Sequence, residues 1–253
     1  MPTPYAATDD LIRFAPADPL LADLDGDGVQ DLALGRLPAR TGAELDLLID
    51  KTLQFDGKSV QALFAADRSS TGSFSALSDQ LIGLLPAGWG AERAYVDELG
   101  AAAARQTLLA GFEAGPALVS FVGHSGPTSW SFEGLFSSSD ADALGNTGDP
   151  SLVIQWGCWN TYHVAPQYDT LAHRLLLAGP QGAAAVLGSS TLSKESSDSL
   201  LGPAVVRELS MPGTRLGDAI LRAKRSIAGQ GDAVRDVLIG WTLLGDPALT
   251  LAP

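Results

Sequence analysis

The sequence predicts an α/β fold, a doubly wound and mostly parallel β-sheet with helices on both faces. One observation is a pair of apolar runs, residues 117–122 and 151–156, which have no polar face and are each followed by a glycine. Such runs are typical of parallel strands that are covered on both sides. The other observation is that strand-like runs alternate along the chain with helical segments of about ten to fifteen residues, as in βαβ units. In folds of this class, ligands bind at the carboxyl edge of the sheet.

The first predicted elements lie before residue 66. Residues 32–38 are expected to form a strand that leads into a turn. Thr41 and Glu44 have the spacing of a capping box, so a helix is expected from there to about residue 55. The next strand is expected at residues 60–65, and it would deliver Asp67 to its carboxyl end.

The middle of the chain continues the alternation. Residues 74–85 are expected to form a helix, which Pro86 and Gly88 would end. A short strand is expected at residues 94–96, and the alanine-rich residues 101–112 are expected to form a helix that a Gly-Pro pair ends.

The remaining elements follow the two apolar runs. Helices are expected at residues 168–178, 203–209 and 216–228, a strand at residues 183–187, and a compact turn with a final strand at residues 241–251. No internal repeat or long linker interrupts this order, so residues 23–253 are predicted to form one domain. Residues 1–22 are proline-rich and irregular, and are expected to be a lead-in that packs against the domain or the end of an upstream region.

Composition excludes several classes of function. The chain has 29 acidic against 16 basic residues and a net charge of −13, which argues against nucleic acid or anionic lipid as a partner. No apolar stretch approaches the roughly eighteen residues that a membrane span requires. A single cysteine excludes an internal disulfide, and is compatible with a cytosolic protein or with an extracellular one stiffened by metal. The N-terminus has no signal peptide, although the chain is expected to be an excised part of a longer one.

An acidic loop at residues 23–31 has the spacing of a calcium site. Carboxylates occupy positions 1, 3, 5 and 9 of an EF-hand-type loop, a glycine occupies position 6, and a main-chain carbonyl would serve at position 7. The proposed ligands are Asp23, Asp25, Asp27, Val29 and Asp31. The glutamate of position 12 is missing, since Leu34 stands there. An acidic surface turn is the alternative, but four carboxylates in this register would repel one another without a cation, so we expect a structural Ca²⁺.

The two apolar runs end close to residues that can carry chemistry. His124 follows the first run and Cys158, the only cysteine, follows the second, each directly after a glycine. If the two strands are neighbours, both side chains emerge at the carboxyl edge of the sheet. A thiol attacks as the thiolate, and a histidine within reach can take its proton, so the pair predicts a catalytic dyad. A lone cysteine or histidine is more often structural, which leaves burial in the core as the alternative for each.

The other two histidines are weaker candidates. His173 lies within a predicted helix, where packing or capping accounts for it, whereas His163 could line the same cleft as Cys158. A zinc site made from Cys158, His163 and His124 is conceivable, but it lacks a second thiolate and a paired-ligand spacing.

Several motifs, taken together, resemble the gingipain-like cysteine peptidases, which share the caspase-like fold. They are the GHSG sequence at residues 123–126 with Trp130 beyond it, the CWN sequence at residues 158–160, the LGDP sequence at residues 244–247 and the segment 31–38. The motifs occur in the family's order from about residue 23 to residue 251. The resemblance implies a cysteine endopeptidase that acts on proteins or peptides through an acyl-enzyme.

The resemblance also implies roles for individual residues. Cys158 would be the nucleophile and His124 the general acid and base, with Asp67 supporting the histidine. The main-chain N–H groups of Cys158 and Ser125 would form the oxyanion hole, although the family usually has glycine where Ser125 stands. Asp79 matches a family carboxylate that would favour arginine or lysine before the cut bond, and a solvated acid on a helix is the equal alternative.

Three tryptophans near the strand ends could wall the cleft, although aromatic residues there usually belong to the core. They are Trp130, Trp156 and Trp159. The family commonly belongs to secreted or surface proteins with further domains, so a multidomain, extracellular chain is expected. A catalytically silent member serving as a binding or secretion module, and a non-peptidase cysteine hydrolase or transpeptidase, remain the alternatives.

Overall fold

A computed structural model describes residues 1–70, 72–165, 167 and 169–251. Its centre is a six-stranded sheet in the order β6-β5-β4-β3-β1-β2, in which β6 runs antiparallel to β5 and the other pairings are parallel. The strands are β1 (Gln61–Ala66), β2 (Gly90–Tyr95), β3 (Leu118–Val122), β4 (Ser151–Trp156), β5 (Ala183–Ser189) and β6 (Trp241–Leu244). Helices cover both faces, so the predicted doubly wound, mostly parallel α/β fold is confirmed.

One α-helix precedes β1, and the other described α-helices lie between consecutive strands. They are α1 (Gly42–Gln54), α2 (Phe74–Ile82), the single turn α3 (Val96–Leu99), α4 (Ala101–Glu113), α5 (Ser138–Ala143), α6 (Leu171–Leu177), α7 (Glu195–Leu209), α8 (Leu216–Ile227) and α9 (Arg235–Gly240). The predicted capping box forms at the start of α1, where the Thr41 side chain accepts from the main chain of Glu44 and the Glu44 carboxylate accepts from the main chain of Thr41. None of the described helices is long and apolar enough to cross a membrane.

Each face of the sheet has its own apolar core. One core joins α2, α7, α8 and α9 to strand residues such as Phe64, Ile154 and Trp156. The other joins α1, α4, α5 and α6 to strand residues whose side chains point to the other face of the sheet, such as Phe121 and Val153. The alternation of side chains along buried strands supplies both cores, which explains why these strands have no polar face.

Three predicted elements differ from the structure. Residues 32–38 form no strand, because Arg36 alone pairs with Leu244 at the edge of the sheet. The helix expected from residue 203 begins at Glu195, and its interior tolerates Pro203. The last strand precedes the final turn and does not follow it, since β6 ends at Leu244. The predicted helix start at Tyr168 lies outside the described residues, and α6 begins at Leu171.

The predicted lead-in segment, residues 1–22, packs onto the domain. Its residues Tyr5–Ala6 and Ala15–Pro16 pair as a small antiparallel ribbon, and Ala17 is fully buried in the first core. The Ser190 hydroxyl donates to the Pro16 carbonyl at 2.6 Å, which ties the segment to the loop that follows β5.

Candidate active site

Three central strands of the sheet end at the same level. Ala66 of β1 is paired with Val122 of β3, which is paired with Trp156 of β4. Asp67, His124 and Cys158 follow these ends and therefore emerge along one edge. After β1 the chain continues to β2 on one side and then crosses to β3 on the other, so this edge is the switch point where α/β sheets bind ligands.

Two glycines allow the chain segments after these strands to approach one another. Gly123 has a φ of +153°, and a Cβ on it would lie 2.3 Å from the Asp67 Cβ. A Cβ on Gly157 would lie 2.3 Å from the Gly123 carbonyl oxygen. Neither position has room for a side chain, so both glycines are needed to bring the segment that carries His124 beside the one that carries Cys158.

His124 and Cys158 line one pocket of about 80 Å³. Its apolar walls come from α2 and from the ends of β3 and β4, and its polar wall comes from the segment that leads into α7. The other lining residues are Phe74, Leu77, Val122, Gly123, Trp156, Gly157, Ser193, Glu195 and Asp198. A thiol and an imidazole therefore share a concave site beside two carboxyl groups.

The Cys158 thiol is partly buried, and its Sγ lies 3.6 Å from the Ser193 carbonyl oxygen. Burial raises the pKa of this thiol, although the contact with the Ser193 main chain opposes the rise. The thiol is therefore protonated at neutral pH, and it would need a base to act as a nucleophile.

Asp67 is buried, and its carboxylate binds the main chain that carries His124. It accepts hydrogen bonds from the His124 main-chain N–H at 3.2 Å, the Arg68 N–H at 2.7 Å and the Ser131 hydroxyl at 2.6 Å. The location predicted for Asp67 is therefore found, and it fixes the histidine through the backbone.

Ser125 joins the histidine segment to the cysteine segment. Its Oγ donates to the Cys158 carbonyl at 2.8 Å and accepts from the Asn160 side chain at 3.3 Å. Asn160 is fully buried and also donates to the Gln155 carbonyl. The side chain that replaces the family's usual glycine is thus accommodated as a bridge between the two segments.

Asp198, which sequence reasoning missed, forms part of the polar wall. It is 5% exposed, and its carboxyl group accepts from the Ser193 hydroxyl at 2.8 Å. Burial raises the pKa of Asp198 well above its usual range, although the hydrogen bond from Ser193 opposes the rise. The sequence did contain a signal for Asp198. The segment after β5 must emerge at the same edge of the sheet as the segment after its parallel neighbour β4, so its side chains can reach the same pocket.

Comparison with known proteins assigns the chain to a family. The model of peptidase family C25 matches residues 2–252. The chain belongs to peptidase family C25. No curated protein sequence matches it.

Solved structures similar to this C25 chain share its fold at low sequence identity. The Arg-specific cysteine proteinase gingipain R matches with a TM-score of 0.82 at 18% identity, over 94% of this chain and 60% of that one. A complex of the pro- and mature domains of RgpB from Porphyromonas gingivalis matches with a TM-score of 0.79 at 17% identity, over 93% of this chain and 60% of that one. The chain therefore spans about 60% of the length of these solved chains.

Two of the residues predicted to line the pocket of this C25 chain lie elsewhere. Asp79 is on α2, but Phe74 and Leu77 form the pocket face of that helix, and the helical period turns Asp79 away from it. The Asp79 carboxylate instead accepts from the Tyr95 hydroxyl at 2.9 Å and from Arg93 at 3.3 Å. Trp130 is fully buried on the opposite face of the sheet, where it stacks on Phe121 at 4.7 Å.

Of the other two tryptophans, one lines the pocket and one lies outside it. Trp156 lines the pocket and stacks on Trp241 with ring centroids 4.6 Å apart. Trp159 is partly exposed and packs edge-on against Tyr162 at 5.5 Å, outside the lining of the pocket.

The remaining histidines serve the structure. His163 Nε2 lies 3.3 Å from an Asp18 carboxylate oxygen and 3.1 Å from the Thr3 hydroxyl, and burial lowers its pKa. His173 caps α6 through Thr170, and burial lowers its pKa to about 4. Neither lines the pocket of Cys158, and within the described ranges no metal-binding cluster includes Cys158.

The acidic loop forms the turn that its spacing predicts. Carboxylate oxygens of Asp23, Asp25 and Asp27 lie within 4.8 Å of one another. Asp31 is turned toward other partners, since one oxygen accepts from the Leu24 N–H at 2.7 Å and the other from Arg225 at 3.0 Å. Three of the four carboxylates thus converge, while the fourth already has a counter-ion.

Proposed function

We propose that the protein is a cysteine endopeptidase in which Cys158 is the nucleophile and His124 is the general base and acid. The observation that carries this proposal is the shared pocket of the two side chains at the level ends of β3 and β4, in a chain of peptidase family C25. The protonated state of the buried thiol supports general-base activation in preference to a resting ion pair.

The reaction proceeds through an acyl-enzyme. His124 takes the Cys158 proton as Sγ attacks the scissile carbonyl carbon, and the carbonyl oxygen becomes an oxyanion. The main-chain N–H groups of Cys158 and Ser125 are the donors proposed for that oxyanion. The imidazolium then gives its proton to the leaving amine as the C–N bond breaks. Water, deprotonated by His124, attacks the thioester, and the carboxylic acid product leaves as the thiol is re-formed.

The test combines hydrolysis of a peptide library, followed by mass spectrometry, with alkylation of Cys158 by iodoacetamide. We expect cleavage by the wild type and none by Cys158→Ala or His124→Ala. Because His124 is proposed to remove the proton as the thiol attacks, alkylation of the wild type should be faster than that of His124→Ala at the same pH. Equal alkylation of these two proteins, without cleavage, would favour a binding module, and acyl transfer to amines without hydrolysis would favour a transpeptidase.

We propose further that the pocket prefers arginine or lysine before the cut bond. Glu195 and Asp198 both line the pocket, whose described lining includes neither lysine nor arginine. A cation would relieve the buried carboxyl of Asp198 and ionise it. Asp198→Asn should therefore reduce kcat/KM for basic substrates more than for neutral ones. Cleavage after neutral residues only, by the wild type, would contradict the preference.

For the acidic loop we propose a structural Ca²⁺ bound by Asp23, Asp25, Asp27 and the Val29 carbonyl. The convergence of three carboxylates supports it, and Asp31 would have to release Arg225 to join them. Calcium should raise the melting temperature and EDTA should lower it, and Asp25→Ala should remove both effects. No shift with either reagent would exclude the site.

We also propose that the chain acts outside the cell, on protein or peptide substrates, as part of a longer protein. The greater length of the solved relatives supports the last point. Detection of the native polypeptide in culture medium or on the cell surface would test the location, and the mass of that polypeptide would test the greater length.

A further inference from the structure

The imidazole of His124 lies between two aromatic rings. Phe74 contacts it edge-on, with ring centroids 5.2 Å apart and an interplanar angle of 86°. Phe132 stacks on it at 5.3 Å and 26°. The polar contact of the ring is weak, with Nε2 lying 3.4 Å from the Ser70 hydroxyl. Because the Asp67 carboxylate binds the main chain of His124, the ring itself is oriented chiefly by aromatic contact.

The Phe132 side chain is 87% exposed, so it buries little of its own surface. Burial of its own surface therefore does not account for its place on His124. The loop that carries it must supply that placement.

The residues on both sides of Phe132 are held by the two residues that follow β1. Ser131 donates its hydroxyl to Asp67 at 2.6 Å, and Glu133 accepts from the Arg68 guanidinium at 3.0 Å. Consecutive residues, Asp67 and Arg68, thus bind the two neighbours of Phe132.

The loop is also fixed directly to the histidine. The Ser131 main-chain N–H donates to the His124 carbonyl at 2.7 Å, and the Ser131 Oγ accepts from the Glu133 N–H at 3.0 Å. Ser131 has a φ of +62°, a conformation that a serine adopts only when its surroundings impose it. The loop is therefore held in a strained conformation, and this conformation places the Phe132 ring against the His124 imidazole.

We propose that Phe132 is a positioning residue for His124, and that Asp67 and Arg68 orient the imidazole through it. Stacking acts on a face of the ring and involves neither of its nitrogens, so the contact restricts rotation of the imidazole without occupying a proton-transfer atom. The inference rests on the proposed role of His124 in peptide hydrolysis. It assigns to an aromatic side chain the task that a carboxylate performs in a catalytic triad.

The kinetic test compares Phe132→Leu, Phe132→Tyr and Glu133→Gln with the wild type. Misplacement of a catalytic group by about 1 Å can cost roughly a hundredfold, so we expect Phe132→Leu to lower kcat by about tenfold with little change in KM. Phe132→Tyr should retain wild-type kcat, because the stacking face is kept. Glu133→Gln should fall between them. Phe14→Leu is the matched control, since Phe14 is 80% exposed and lies outside the pocket, and it should match the wild type.

A second readout does not require activity. The chain has three histidines, so the ring protons of His124 can be assigned by NMR with His124→Gln. Stacking on Phe132 should shift them upfield, and Phe132→Leu should remove that shift while the signals of His163 and His173 stay in place. A folded Phe132→Leu variant with unchanged His124 signals and unchanged kcat would overturn the proposal.

Two other results are separable. A raised KM at constant kcat would overturn the positioning role in favour of substrate contact by Phe132. Absence of hydrolysis by the wild type, with the NMR shift present and lost in Phe132→Leu, would refute the proposed function and leave the orientation of the ring by Phe132 standing.

Discussion

A methyl group on Gly157 tests how closely the segments that carry His124 and Cys158 must approach. The Cβ of Gly157→Ala would lie 2.3 Å from the Gly123 carbonyl oxygen and 2.5 Å from the Ser125 Oγ. Ordinary contacts are about 3.5 Å, so the segments would have to separate by roughly 1 Å. Because one of the clashing atoms is main chain, a side-chain rotation cannot relieve the contact.

The expected cost follows from the size of this overlap. Overpacking of a close-packed region costs about 1–3 kcal/mol, which lowers the melting temperature of a chain of this length by about 2–12 °C. The same displacement moves His124 away from Cys158, so iodoacetamide should alkylate the thiol more slowly. Thermal unfolding followed by tryptophan fluorescence, together with alkylation kinetics, measures both effects.

Gly126→Ala is the matched control for the change at Gly157. Gly126 lies in the same segment as His124, and a Cβ on it would meet no atom within 4 Å. The two variants lose the same glycine freedom in the unfolded chain, so their difference reports the native contact alone. If the two variants have the same melting temperature, and Cys158 in both is alkylated at the wild-type rate, the site does not require the close approach.

Two further predictions concern buried titrating groups. Because burial raises the pKa of the Cys158 thiol, its alkylation by iodoacetamide should keep accelerating at pH values where a free cysteine has reached its plateau, and an earlier plateau would contradict that pKa. Burial lowers the pKa of Lys224 to about 7 from 10.5, so the unfolded chain binds more protons between these values and this lysine makes stability rise with pH across that window. Lys224→Met should flatten the rise in free energy of unfolding measured by urea titration at several pH values, and an equal slope in both proteins would refute the assignment.

Local patterns predicted the elements that hold the reactive pair. In the runs before His124 and Cys158, the side chains that point to either face of the sheet are apolar, because both faces are covered. This pattern can be read from the run itself, without knowledge of its distant partners. The capping box at Thr41 is equally local. The edge strand β2 was only partly predicted, because residues 90–93 face solvent and carry no apolar alternation.

The residues that sequence reasoning missed depend on loop paths and helix phase. Phe132 reaches His124 only because Asp67 and Arg68 bind its neighbours, and no sequence period relates residues 67 and 132. Asp79 was predicted to line the pocket from its match to a family carboxylate, but the phase of α2 decides which side chains of that helix face Cys158. Asp198 lies at the start of a helix whose predicted beginning was eight residues too late.

The level ends of β1, β3 and β4 have a consequence for how the chain reaches its native state. The three segments that meet there are distant in sequence, and parallel pairings between distant segments form late, after the entropy of closing long loops has been overcome. The neighbourhood of Cys158 therefore forms only after these strands have paired. Under the proposed mechanism, a newly made chain would pass through its extended stages, in which it is most easily cleaved, before the thiol gains its base.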